Sequence, residues 1–166
     1  MRALPGSTMI EVEVFDATAG PGRLAGADVR RLCTRAASSR GVSDGHVAVE
    51  LVNSARIAQL NNEHRGKAAP TDVLSFPIDG APPPREARVT GAPGGPPQRP
   101  HAGAPPQRPH AAGVPVELGD IVICPEHTAD LREAVVHGML HLLGMDHETD
   151  SGEMLALQAE ILAGER

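Results

Sequence analysis

Three histidines stand in the run His137-Gly-Met-Leu-His141-Leu-Leu-Gly-Met-Asp-His147, separated by four and then six positions. On a helix, side chains four apart share a face, so His137 and His141 can aim two imidazoles at one spot. Gly144 can take the left-handed conformation that ends a helix, and the turn it makes brings His147 back toward them. Three nitrogen ligands leave the fourth corner of a tetrahedron for water, as catalytic zinc sites do, whereas structural sites fill all four. Zinc lowers the pKa of that water to roughly 7, which supplies hydroxide at neutral pH. The chemistry expected is hydrolysis with one Zn2+ per chain. Imidazole also suits nickel, copper and iron. Two plainer readings compete: ordinary histidines near a helix end, or a closed structural zinc site completed by Asp146 or another carboxylate.

The spacing resembles the metzincin protease signature HExxHxxGxxH. Those proteases carry their general base, a glutamate, directly after the first histidine. Here that position is Gly138, so peptide hydrolysis by that route lacks its proton acceptor. A metalloprotease-like hydrolase becomes the second choice.

The elements that must position these residues follow from periodicity. Met9–Phe15 alternates apolar and acidic residues, the mark of a half-exposed strand. His46–Val52, Asp72–Pro77 and Leu118–Cys124 supply three more strands, the last stopped by Pro125. Val29, Leu32, Cys33 and Ala36 at helical spacing predict a helix from Ala27 to Ser38. Asn53 or Ser54 can cap a second helix reaching about Asn62. A third runs from about Thr128 to Leu143, and Asp150 with Glu153 resembles a capping box opening a fourth. The expected fold is α+β: one domain over residues 1–166, with a four-stranded mixed sheet packed with about four helices. The metal site would lie on a late helix and the turn after it.

Between the third and fourth strands, about 81–115, Pro, Gly and Ala dominate, and Pro-Pro-Gln-Arg-Pro-His-Ala occurs twice, at 96–102 and 105–111. Such a stretch buries too little apolar surface to offset its ordering, so it is expected to be a disordered or polyproline-like insertion. Arg85, Arg88, Arg99 and Arg108 against Glu86 make it basic. It is either an RNA-touching arm or a tolerated low-complexity insert, with His101 and His110 as passengers.

A chain of 166 residues suits a single core. With Phe15 and Phe76 as its only aromatics of the Phe, Tyr and Trp type, it has little to offer for stacking bases. A net charge of −6 argues against a protein that coats nucleic acid, though a small basic cleft stays compatible with it. Neither a signal peptide nor a membrane span is expected, which suits a cytoplasmic protein. Cys33 and Cys124, far apart, are expected to be reduced thiols.

The segment His137-Gly-x-Leu-His-Leu-x-Gly-x-Asp-His147 resembles the signature of the YbeY family of bacterial endoribonucleases. Leu60-Asn61 with Arg65-Gly-Lys67, Pro70-Thr-Asp-Val-Leu-Ser-Phe-Pro77 and Leu118-Gly-Asp-Ile-Val-Ile123 resemble three further blocks of that family, in its order. The resemblance implies a cytoplasmic metal-dependent ribonuclease acting in ribosomal RNA maturation, at the 3′ end of the small-subunit RNA, and in ribosome quality control. Its partners would be ribosomal RNA and the small ribosomal subunit, with no membrane and no DNA. It implies His137, His141 and His147 as zinc ligands and Arg65 as the functionally important arginine. A guanidinium near a metal can also hold a phosphate bidentately on physical grounds. Lys67 can add a phosphate contact, and Thr71 and Asp72 either brace the site or merely cap a strand end. The chain departs from the family at Ala68-Ala69, at His64, and in the short stretch from Cys124 to Val136 before the first histidine. A catalytically weakened ribosome-associated module is therefore a third reading.

Overall fold

Alternation along the strands decides which side of the sheet is dry. In β1 (Ile10–Asp16) Ile10 and Val12 are buried while Glu11 and Glu13 are exposed, and in β2 (Gly45–Leu51) every second residue from Gly45 is buried. The computed structural model describes residues 9–17, 24–79 and 116–165. With β3 (Val73–Pro77) and β4 (Glu117–Ile123) these strands form one sheet in the order β1-β2-β4-β3. β1, β2 and β4 run parallel, and β3 pairs antiparallel with β4, so the sheet is mixed.

One face carries Val47, Val49, Ile121 and Ile123 against α1 (Gly26–Ser39) and α3 (Leu131–Leu142). Met154 and Ile161 of α4 (Glu153–Ala163) complete this core. Just beyond α4, Glu165 meets Arg31 at 2.5 Å and Arg35 at 2.6 Å, tying the end of α4 to α1. On the other face, Leu74 and Val122 lie opposite each other and pack under Ile57 and Leu60 of α2 (Ser54–Arg65). The β1–β2 half of that face keeps its acidic residues in water.

The expected α+β domain with four strands and four helices is what forms, with shifts at element ends. α2 continues to Arg65 rather than Asn62, because Gly66 in a left-handed conformation places its N–H on Asn62 O only one residue later. His64 stays helical with its ring 4.6 Å from that of Phe76, docking the end of α2 on β3. α3 begins at Leu131 rather than Thr128. A 3-10 turn, Pro125–His127, comes first, and Thr128 Oγ donates to Cys124 O at 2.7 Å before Asp130 caps the helix through Arg132 N. At α4 the Asp150 and Glu153 carboxylates accept from Met154 N and Ser151 N. That is the reciprocal logic of a capping box, each bond moved one residue along. The Pro-rich insertion at 81–115 and the first eight residues lie outside the described residues.

Candidate metal centre

α3 packs on β4 closely enough that a Cβ added at Gly138 would lie 2.5 Å from Ile121 Cγ2 and 3.3 Å from Ser75 Oγ. A side chain there would force Ile121 to shift, so the place where a metzincin carries its glutamate is occupied by the sheet. This close contact seats α3, whose His137 and His141 line a cleft. Ser75 Oγ reinforces it by donating to Gly138 O at 3.1 Å. α3 stops after Leu142, and Gly144 takes φ +87°, a value that L side chains rarely adopt. Gly144 N bonds to His141 O and Met145 N to Leu140 O, so the chain folds back and delivers His147 beside the helix.

The three imidazoles converge. Their ring centroids are 4.8, 5.1 and 5.3 Å apart, and one nitrogen from each lies within 4.8 Å of the others. His137 Nε2 and His141 Nε2 face each other at 3.2 Å. Two nitrogens on one tetrahedral zinc, each about 2.0–2.1 Å from it, would be separated by roughly 3.3 Å. His141 Nδ1 lies 3.0 Å from Met145 O, a carbonyl that only accepts, so Nδ1 carries the proton and Nε2 shows its lone pair. His137 Nδ1 is likewise engaged, by Gln158 Oε1 at 2.9 Å. The donor set therefore fits a cation, with the outer nitrogen of two rings held by a partner, as metal-ligating histidines usually have. Burial, and then the neighbouring His137 and His147, push the His141 pKa below its ordinary value against the Met145 hydrogen bond, which favours the neutral ring a metal needs.

These histidines line an open cleft of about 900 Å3, with Arg65, Lys67, Asp72 and Glu148 around it. Arg65 ends α2, and Asn61 of the same helix donates from Nδ2 to Ala69 O at 2.8 Å, holding the loop that carries Lys67. Both cations are exposed. The structure thus brings all four sequence-predicted site residues, Arg65, His137, His141 and His147, to one cleft. Thr71 and Asp72 line it too, but the hydrogen bonds of their side chains are local. Asp72 Oδ1 accepts from Thr71 Oγ at 3.0 Å and from Val73 N at 2.9 Å, the strand-end role.

Three features had no signal in the linear pattern: Gln158, the Met145 carbonyl, and the packing demand at Gly138. A second group, Cys124, Glu126 and His127, also comes within 4.8 Å. It is closed on itself by Ser54 Oγ, which bonds the Glu126 carboxylate and lies 2.9 Å from His127 Nε2 in the first turn of α2. The cysteines are both free and buried, and burial pushes the Cys33 thiol up to about 12, leaving it inert. Among the described residues no helix is long and apolar enough to cross a membrane.

A family model described as Endoribonuclease YbeY matches residues 24–165. A Rubrobacter xylanophilus protein named Endoribonuclease YbeY is 36% identical over 161 residues, 93% of this chain and 96% of its own. A protein of the same name from Bacillus licheniformis is 35% identical over 153 residues, 82% of each chain. Another, from Symbiobacterium thermophilum, is 36% identical over 153 residues, 82% of this chain and 83% of its own.

Proposed function

The chain belongs to the endoribonuclease YbeY family, and on that premise we propose that it is a zinc-dependent, single-strand-specific endoribonuclease. Its substrate would be ribosomal RNA, at the 3′ end of the small-subunit RNA and in ribosome quality control, in the cytoplasm. The observation that carries the zinc reading is the pair of lone-pair nitrogens, His137 Nε2 and His141 Nε2, 3.2 Å apart in a cleft shared with His147 and Arg65. Two acceptors so placed are suited to sharing a metal cation.

His137, His141 and His147 would hold the zinc. When bound, it supplies Lewis acidity and activates water at neutral pH. The rest falls to the chain. Arg65 would donate two N–H groups to the non-bridging oxygens of a phosphodiester and offset the charge that grows there. Lys67 adds a point charge on the same rim. The openness of the cleft, and the lack of Tyr or Trp anywhere in the chain, favour a grip on the phosphate backbone over base stacking.

A protease needs a carboxylate base beside the first histidine, and Ile121 closes that place. The test offers purified protein a small-subunit RNA carrying its 3′ extension and, in parallel, an unstructured peptide. Cuts confined to unpaired RNA, with the peptide left whole, are expected. Peptide cleavage with intact RNA would overturn the reading, and neither cleavage by folded, zinc-loaded protein would favour a ribosome-associated module without turnover.

A further inference from the structure

Gln158 lies on α4, is only 7% exposed, and has both ends of its amide engaged by α3. Oε1 lies 2.9 Å from His137 Nδ1, and Nε2 donates to Glu133 Oε1 at 3.1 Å. The oxygen and nitrogen of an amide are nearly the same in shape, so their placement must follow from the partners. An ionised carboxylate only accepts. The NH2 end must therefore face Glu133, which leaves the carbonyl for His137. That carbonyl also only accepts, so Nδ1 of His137 holds the proton. Nε2, the atom 3.2 Å from His141 Nε2, is then left with its lone pair toward the cleft. Free neutral histidine favours the opposite tautomer, so the preference is imposed by the surroundings.

We propose that Glu133 and Gln158 form a positioning relay that locks His137 in its Nδ1–H form and so sets the metal affinity of the cleft. The proposal rests on reading the three histidines as a metal centre. Helical spacing places Glu133 one turn before His137 on α3, and Gln158 spans the gap between them from α4. The amide has a physical purpose. A carboxylate directly on Nδ1 favours the doubly protonated imidazolium, which has no lone pair to offer. An amide passes on the orientation set by Glu133 without placing its charge on the ring. Gln158 itself is buried, while Glu133 at the outer end of the relay is exposed.

The relay is tested by two readouts on the full chain. The first is the His137 tautomer, from nitrogen NMR shifts of metal-free protein at a pH above the imidazole range. The second is zinc affinity, by competition with a chromophoric chelator. Wild type should carry the His137 proton on Nδ1. Gln158→Leu should move it toward Nε2 and weaken zinc binding about 10–100-fold. Gln158→Glu should also weaken binding, because it sets two carboxylates against each other. Adding Glu133→Gln to that variant restores a donor–acceptor pair and should recover part of the lost affinity, stopping short of wild type because a carboxylate then sits directly on Nδ1; independent sites would give no recovery. Should Gln158→Leu fail to fold, the exchanged pair, which keeps both side-chain volumes, carries the test. A wild-type His137 protonated on Nε2, a folded Gln158→Leu that binds zinc as tightly as wild type, or an exchanged pair no tighter than Gln158→Glu would overturn the relay. Absence of zinc binding by wild type would instead sink the metal-centre reading, and the metal-free tautomer would still decide the relay.

Discussion

His46 and His141 are both partly buried histidines bonded through Nδ1, yet their surroundings drive them in opposite directions. His46 projects from the wet half of the sheet, with Nδ1 2.8 Å from Glu117 and Nε2 3.6 Å from Glu13. Burial alone would lower its pKa, but the Glu117 hydrogen bond with the charges of Glu117, Glu13 and Glu11 outweighs burial and raises it. His141 meets a carbonyl rather than a carboxylate, and burial with its two sister imidazoles lowers its pKa. The same side chain is thus built to hold a proton in one place and to give one up in the other. The difference lies in where the carboxylates stand. Around His46 they touch the ring directly; beside His137 the nearest one in its hydrogen-bond chain, Glu133, is set back behind an amide. In this chain a carbonyl partner and burial favour the neutral ring at His141, and carboxylates in direct contact favour the charged ring at His46.

The sharpest way to break this contrast is to remove a ring from each cluster. His141→Ala should abolish tight zinc binding and reduce RNA cleavage by on the order of 10³-fold, since a metal supplies several kcal/mol of transition-state stabilisation. His46→Ala should leave both at wild-type levels. Zinc content by atomic emission and initial cleavage rates check the pair. Arg65→Ala sharpens the comparison within the cleft by separating holding a metal from holding a phosphate. Cleavage should fall about 10²-fold with zinc content unchanged. A loss of zinc in that variant would mean Arg65 supports the fold of the site instead.

Gly138→Ala probes the support under the histidines. Helix propensity favours alanine by about 1 kcal/mol, but its Cβ would sit 2.5 Å from a branched Ile121 methyl in a packed sheet. Overpacking costs typically about 1–3 kcal/mol, so net destabilisation is expected, read as a lower melting temperature. The smallest effect belongs to His46. Its folded pKa is raised above the ordinary 6.5, so its stabilisation is complete below about pH 6.5 and drains away as pH rises through the folded value. His46→Gln should remove that dependence, with a difference under about 1 kcal/mol because solvent screens the pair. Melting curves of both proteins from about pH 6 to 8 show it as wild-type stability falling relative to the variant.

Much of this architecture can be read from the chain because its signals are local. Alternation in Met9–Phe15 and the turn residues around each strand mark the sheet to within a residue or two. The four-residue step from His137 to His141, with Gly144 after it, is enough to bring three imidazoles together. What escaped the linear reading depends on contacts between elements. Thr128 to Asp130 looks helical by composition, but a hydroxyl bonding Cys124 O competes with the helix there. Gly138 first reads as the loss of a protease base, and only the distance to Ile121 turns it into a packing requirement. Gln158 lies 21 residues beyond His137 on another helix, with nothing in its periodicity to separate it from a solvated glutamine. Arg65 is intermediate: resemblance pointed to it, and the two helices that bring it across from the histidines are far apart in sequence.

The most direct test of the central claim is cleavage of a ribosomal RNA fragment by protein stripped with a chelator and then titrated with zinc, with His141→Ala alongside. Activity that disappears on stripping, returns at one zinc per chain and never appears in the folded variant is the predicted result. Cleavage that persists in stripped protein, or in His141→Ala, would contradict the claim that these three histidines hold the metal on which catalysis depends.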